Sequence, residues 1–176
     1  MLRTYTSRIL RIAAVATLVV VLIPCSASAQ EQTSLAWDVT KSVLLDPTTY
    51  VPAAASYGSQ RLDWTSSQPL FRAGWLEQNP RFTISGRAND LPISYRAGNA
   101  RILTRSLEHL QWSVLNNAAV GVVDRVLTDR YPNHRKLIRV LSWVERISFA
   151  SYTAYLSSIN YFEQAQENAR AARRLQ

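Results

Sequence analysis

The chain has 176 residues, with 20 basic against 12 acidic side chains and a formal net charge of +8. One cysteine and two histidines, His109 and His134, leave no thiolate cage and no histidine pair at metal-ligand spacing. Five scattered glycines form no phosphate-cradling loop, and no serine stands in the Gly-x-Ser-x-Gly form of a nucleophile elbow.

The first thirty residues read MLRTYTSRILRIAAVATLVVVLIPCSASAQ. Arg3, Arg8 and Arg11 make a positive start, Ile12 to Ile23 an apolar run, and Ala27-Ser28-Ala29 a small-x-small cleavage site. This is the pattern of a secretory signal peptide over residues 1–29, and Pro24 stands where a lipobox before Cys25 would need a small residue. Cleavage after Ala29 leaves 176 − 29 = 147 residues, 17 − 12 = +5 of charge, and no cysteine. That length suffices for one compact domain held by burial alone. An exported chain whose basic runs do not exceed Arg135-Lys136 or Arg173-Arg174 points away from nucleic acid.

Residues 30–45 read as a short lead-in. Asp46 and Pro47 have the chemistry of an N-cap and a first-turn residue, so a helix is expected from about 46 to 72, ended by Gly74. Pro52 and Pro69 are expected to kink it or split it in two, with Thr48, Thr49, Thr65, Ser66 and Ser67 near the freed carbonyls. From 78 to 98 the pattern is irregular, with turn signals at Gly86, Asn89-Asp90 and Gly98-Asn99, and predicts a long loop or small hairpin. Asn99 is expected to cap a long helix over about 100–129. After the breaker Pro132, a last helix is expected from near His134 to about 170, its end EQAQENARAARRLQ a solvated extension with almost no apolar face, followed by a polar tail at 171–176. Its inner face is expected to carry Leu137, Leu141, Val144, Ser148, Tyr152, Tyr155, Ile159 and Phe162, and Ala150, Ala154 and Ser158 form a ladder of small residues.

These elements predict an all-α fold: three to four long helices in one bundle over 46–170. The expected core is Leu107, Leu110, Val114, Leu115, Leu141, Val144 and Ile159. Five polar residues fall in or beside the inward faces, Asp63, Asn116, Asn117, Asp124 and Glu145, and Glu77 in the turn after the first helix joins them to make six. A buried carboxylate needs a partner, and Arg61, Arg125, Arg139 and Arg146 are available to pair across helices. The same six residues are the candidate lining of a polar pocket. Arg135, Arg139 and Arg146 form a basic stripe, expected first to be a solvated face with the aromatics in the core; beside Trp75, Trp112, Trp143, Tyr152, Tyr155 and Tyr161 it is also a candidate face for anionic lipid.

The stretch LDWTSSQPLFRAGWLEQNP carries Asp63, Ser66, Ser67, Leu70, Phe71, Gly74, Glu77, Asn79 and Pro80 at telling positions. It resembles the first helix of a family of small bacterial helical membrane proteins of unknown activity. The resemblance implies a helix ended by a Glu-x-Asn-Pro turn and carries over no catalytic residue. Unlike those relatives, every long window after the signal holds charge: Arg61 and Asp63, Asp124 and Arg125, or Arg139, Glu145 and Arg146. Each charge costs about 2.5–3.5 kcal/mol at the centre of a spanning helix.

The functional expectation is an exported cell-envelope protein with a binding or assembly role rather than an enzyme. It uses no cofactor and no metal, and its partner is an envelope protein or an anionic membrane surface. The competing expectations are an integral or peripheral membrane protein, and a small-molecule binder or enzyme built on the inter-helix polar pocket.

Overall fold

The structure, a computed structural model, describes residues 29–175, with side chains from Leu35 onward. The expected signal peptide lies outside the described residues but for Ala29. Within them the chain is all-α, as its periodicity predicts. There are four helices: α1 Ala29–Leu45, α2 Val51–Arg72, α3 Tyr95–Arg130 and α4 Arg135–Arg173. Short 3-10 turns stand at Pro47–Thr49, Pro80–Phe82 and Pro132–His134, each opened by a proline. The expected lead-in is thus mostly helix.

The prolines act differently from one another. Pro52 falls in the first turn of α2, where a missing N–H is one the helix leaves unpaired anyway, so it removes no helical bond. Only Pro69 lies inside α2. The helix ends as expected at Gly74, whose φ of +89° is left-handed. Gly74 N–H donates to Phe71 O at 3.1 Å and Trp75 N–H to Leu70 O at 3.0 Å, the paired closure of a Schellman motif. The start of α3 corrects the expectation: Ser94 Oγ accepts from Ala97 N–H at 3.3 Å, so Ser94 caps the helix and Asn99 lies inside it.

Two compact units make up the chain: residues up to Asp46 with Val114–Arg146, and Pro47–Ser113 with Ile147 onward. Each long helix, α3 and α4, contributes one part to each unit.

The second unit is built on Trp64, Phe82 and Ile102, with Phe71 and Ile93 against them. The Trp64 ring stacks on Phe82 at 5.1 Å and tilts against Phe71 at 5.6 Å, and its Nε1–H donates to Tyr95 O at 3.3 Å. Phe82 belongs to the irregular segment, which is a hairpin-like excursion with antiparallel bridges Glu77–Asp90 and Thr83–Pro92. Ile93 N–H donates to Phe82 O at 2.8 Å and so fixes the ring over the indole.

The expected Leu-rich core is not the core. Leu107, Leu115 and Leu141 are 53%, 52% and 58% exposed, and Val114, Val144, Tyr152, Tyr155 and Phe162 also face outward. The buried stripes are small and polar instead. They are Ser56, Ser59, Gln60 and Ser67 on α2; Ser106, Ser113 and Asn117 on α3; and Ala150, Ser158, Ala165 and Asn168 on α4. The serines need no cross-helix partner. Ser67, Ser106, Ser113 and Ser158 each donate to the carbonyl four residues back in their own helix, at 2.7–3.0 Å. Small residues let backbones approach, and the larger apolar side chains are left on the outside. The small-residue ladder on α4 is buried at Ala150 and Ser158 as expected, and it continues through Ala165 and Asn168 into the segment expected to be solvated.

Among the described residues no helix is long and apolar enough to cross a membrane.

Candidate functional site

The six residues expected to line one polar pocket are divided between the two units. Asp63 and Glu77 belong to the second unit, whereas Asn116, Asn117, Asp124 and Glu145 belong to the first. Each set makes its own arrangement.

In the second unit the centre is Asn168, buried on the last turns of α4. Its Nδ2 donates to Asp63 Oδ1 at 2.9 Å and to Ser67 Oγ at 2.8 Å, with Ser66 Oγ at 3.4 Å. Its Oδ1 accepts from Gln164 Nε2 at 3.1 Å. Ser66 and Ser67 spend their protons on the Asp63 carbonyl, both at 2.9 Å, and so offer lone pairs to the amide. The carboxyl of Asp63 therefore meets an amide and, among the described residues, no cation at ion-pair distance. Burial, reinforced by the negative charge of Glu77 and only partly offset by Asn168, pushes its pKa up to about 7. Glu77 is raised too, again by burial, although it accepts backbone N–H bonds from Gln78 and Asn79, the latter at 2.7 Å. Asn79 Oδ1 in turn accepts from Arg81 N–H at 3.1 Å. The Glu-Gln-Asn-Pro stretch is thus a cap and turn, and Glu77 orders backbone as well as favouring the protonated form of Asp63. Arg61, expected to pair with a carboxylate, lies over the Tyr95 ring at 5.5 Å.

Sequence reading missed Asn168 because the tail around it has no apolar face. The spacing Ala165–Asn168 continuing the small ladder of α4 was the available signal.

In the first unit the polar residues pair locally. Asn116 Nδ2 donates to Glu145 Oε2 at 3.3 Å, and Ser142 Oγ donates to Asp124 Oδ1 at 3.3 Å. Arg146 Nη1 donates to Asp46 Oδ2 at 2.9 Å, in a pair that is mostly buried. Arg125 meets Asp129 one turn on, at 3.3 Å. The close approach of α1 to α3 depends on Gly121, where an added Cβ would stand 3.3 Å from Arg146 Nη2 and 3.4 Å from Val39 Cγ1. Beside it opens a groove of about 270 Å³ lined by Asp38, Asp124, Arg125, Arg135, Arg139 and Arg146, with Ser42, Thr128 and Trp143 among its other walls. All three arginines of the expected basic stripe therefore line this groove.

Removing the anion of the buried pair leaves a guanidinium without its countercharge. Asp46→Ala is expected to cost about 3 kcal/mol of stability, measured by urea unfolding. A loss no larger than an exposed pair gives, below about 1 kcal/mol, would show the pair to be solvated.

Among the described residues no group of three or more His, Cys, Asp or Glu side chains is placed to hold a metal ion. His109 is half-buried, and burial together with Arg105 lowers its pKa. The clusters hold titratable carboxyls and guanidiniums. Comparison of the chain with protein families, curated proteins and solved structures found no match.

Proposed function

We propose that the chain is an exported cell-envelope protein that works by binding, seated on an anionic membrane surface through the first turns of α4. One observation carries this reading. At about 100° per residue, Leu137, Val140, Leu141 and Val144 fall within one arc of a helix, and all four are exposed. Trp143, 62% exposed, stands at the edge of that arc beside Lys136. The segment Arg135–Arg146 carries four basic residues against one acid, Glu145.

Apolar arc and boundary tryptophan beside Lys136 make an interfacial helix, with a basic residue near the surface worth about 1 kcal/mol, while Arg135, Arg139 and Arg146 stand on the other side of the helix, in the groove. Had the aromatics and leucines been core, the basic face would have been no more than a solvated surface. Self-association along the same arc would set the like charges of two copies together, whereas an anionic bilayer neutralises them. Export follows from the N-terminal sequence pattern.

Co-sedimentation with vesicles tests this. The protein is expected to pellet with phosphatidylglycerol–phosphatidylcholine vesicles, to ignore pure phosphatidylcholine, and to be released by high salt. Lys136→Gln is expected to remove about 1 kcal/mol of attraction, about fivefold in partitioning. Equal partitioning to both vesicle types would sink the reading. So would a stable oligomer that buries Leu137 and Leu141. Resistance of the cellular protein to both salt and carbonate would point to an integral protein instead.

A further inference from the structure

The groove of the first unit holds opposite charges that do not satisfy one another. Two of its guanidiniums are committed, Arg146 to Asp46 and Arg125 to Asp129. Arg135 and Arg139, one helical turn apart on α4, have no carboxylate within ion-pair distance among the described residues, and neither do Asp38 on α1 and Asp124 on α3 have a cation. The groove therefore presents two guanidiniums and two carboxylates, on three helices, around one open volume. Its polar network is also incomplete: Thr128 Oγ1 and Arg146 Nε are buried there without a hydrogen-bond partner among the described residues. Buried polar atoms in folded proteins are nearly always bonded, so two orphans on one groove mark a place where an occupant completes the network.

A simple anion fits half of this arrangement and is repelled by the carboxylates; a simple cation meets the reverse problem. A ligand with a phosphate at one end and a primary ammonium at the other matches both. Guanidiniums bind phosphate oxygens by paired N–H bonds, and an ammonium offers three donors to carboxylates. We propose that this groove binds a phosphate ester that also bears a primary ammonium, with Arg135 and Arg139 holding the phosphate and Asp38 and Asp124 the ammonium. The chemistry occurs in free phosphoethanolamine and in the phosphatidylethanolamine headgroup. Only the lipid source rests on the membrane-surface reading.

Calorimetric titration of the protein, purified as the cell makes it, separates these outcomes. Free phosphoethanolamine is expected to bind saturably. Inorganic phosphate, and phosphocholine, whose quaternary nitrogen donates no hydrogen bond, are expected to bind at least about tenfold more weakly. Arg139→Gln and Asp38→Asn, both at exposed positions, are each expected to weaken phosphoethanolamine about tenfold while leaving the circular dichroism unchanged. Binding to phosphatidylethanolamine–phosphatidylcholine vesicles that these variants abolish, with no response to the free compound, would assign the site to the lipid headgroup. Loss of vesicle binding in the Leu137→Ser and Leu141→Ser double variant, with titration by the free compound intact, would separate the surface contact from the groove. Equal affinity for inorganic phosphate would reduce the groove to an anion site and overturn the proposal. No saturable binding of either the compound or the vesicles would overturn it outright.

Discussion

Gly98→Ala is expected to be the most damaging single methyl group in the second unit. A Cβ built at Gly98 would overlap the Trp64 indole, standing 2.5 Å from its Nε1. The indole has nowhere to retreat. Phe82 stacks on it, Phe71 packs against it, and its N–H is bonded to Tyr95 O. Inserting atoms into a well-packed core usually costs 1–3 kcal/mol, and here the clash is with a ring fixed on several sides. The expected loss is about 3 kcal/mol or more, a fall of about 10 °C in Tm. Gly58→Ala is the matched control. Gly58 lies inside α2 with no atom within 4 Å of the added Cβ, so the variant is expected to gain about 0.5–1 kcal/mol from helix propensity alone. Thermal unfolding of both variants reads the contrast. If Gly98→Ala melted within a degree or two of the parent, the indole would not be wedged as described.

The second large effect is on pH. Asp63 has its pKa raised from 3.8 to about 7, so the folded protein holds this proton where the unfolded chain has released it. The stability it contributes is fully present below about pH 4 and is lost as pH rises through about 7. A shift of this size sets an upper limit of about 4 kcal/mol, and the partial solvation of Asp63 reduces the expected change to about 2 kcal/mol. Glu77 and Glu145, both raised by burial, act with the same sign. His109, lowered by burial, opposes them below its ordinary value of 6.5. The protein is therefore expected to be more stable near pH 5 than near pH 8.

Asp63→Asn keeps an acceptor for Asn168 and carries no charge. It is expected to flatten most of that difference and to exceed the parent in stability at pH 8. Urea unfolding at the two pH values decides the matter. A parent that gains stability between pH 5 and 8, or a variant that keeps the parent's slope, would show that the Asp63 carboxyl is better solvated than its surroundings indicate.

Local chemistry was legible wherever it depended on neighbours in the chain. Gly74 ends α2 because only a left-handed residue closes that turn, and Glu77, Asn79 and Pro80 make the cap and turn that their types announce. The ladder Ala150–Ser158 was legible as a close-approach face. Which carboxylate meets which partner was not. Asp63 is 105 positions from the amide that holds it, and Asp46 is 100 from Arg146. No local pattern encodes such a meeting.

By itself the sequence determined the all-α class, the helix breaks at Gly74 and Pro132 and the basic stripe on α4, since all three follow from periodicity, turn chemistry and charge order. Only the tertiary structure decided which helix faces are inside. Hydrophobic periodicity assigned Leu107, Leu115 and Leu141 to the core, on the rule that the larger apolar stripe is buried. The helices pack instead along their narrow stripes of Ser, Ala and Asn, where hydroxyls bonded to their own helix carry little cost of burial and backbones come close. The same choice turns the Leu stripe of α4 outward and leaves it available to a partner surface.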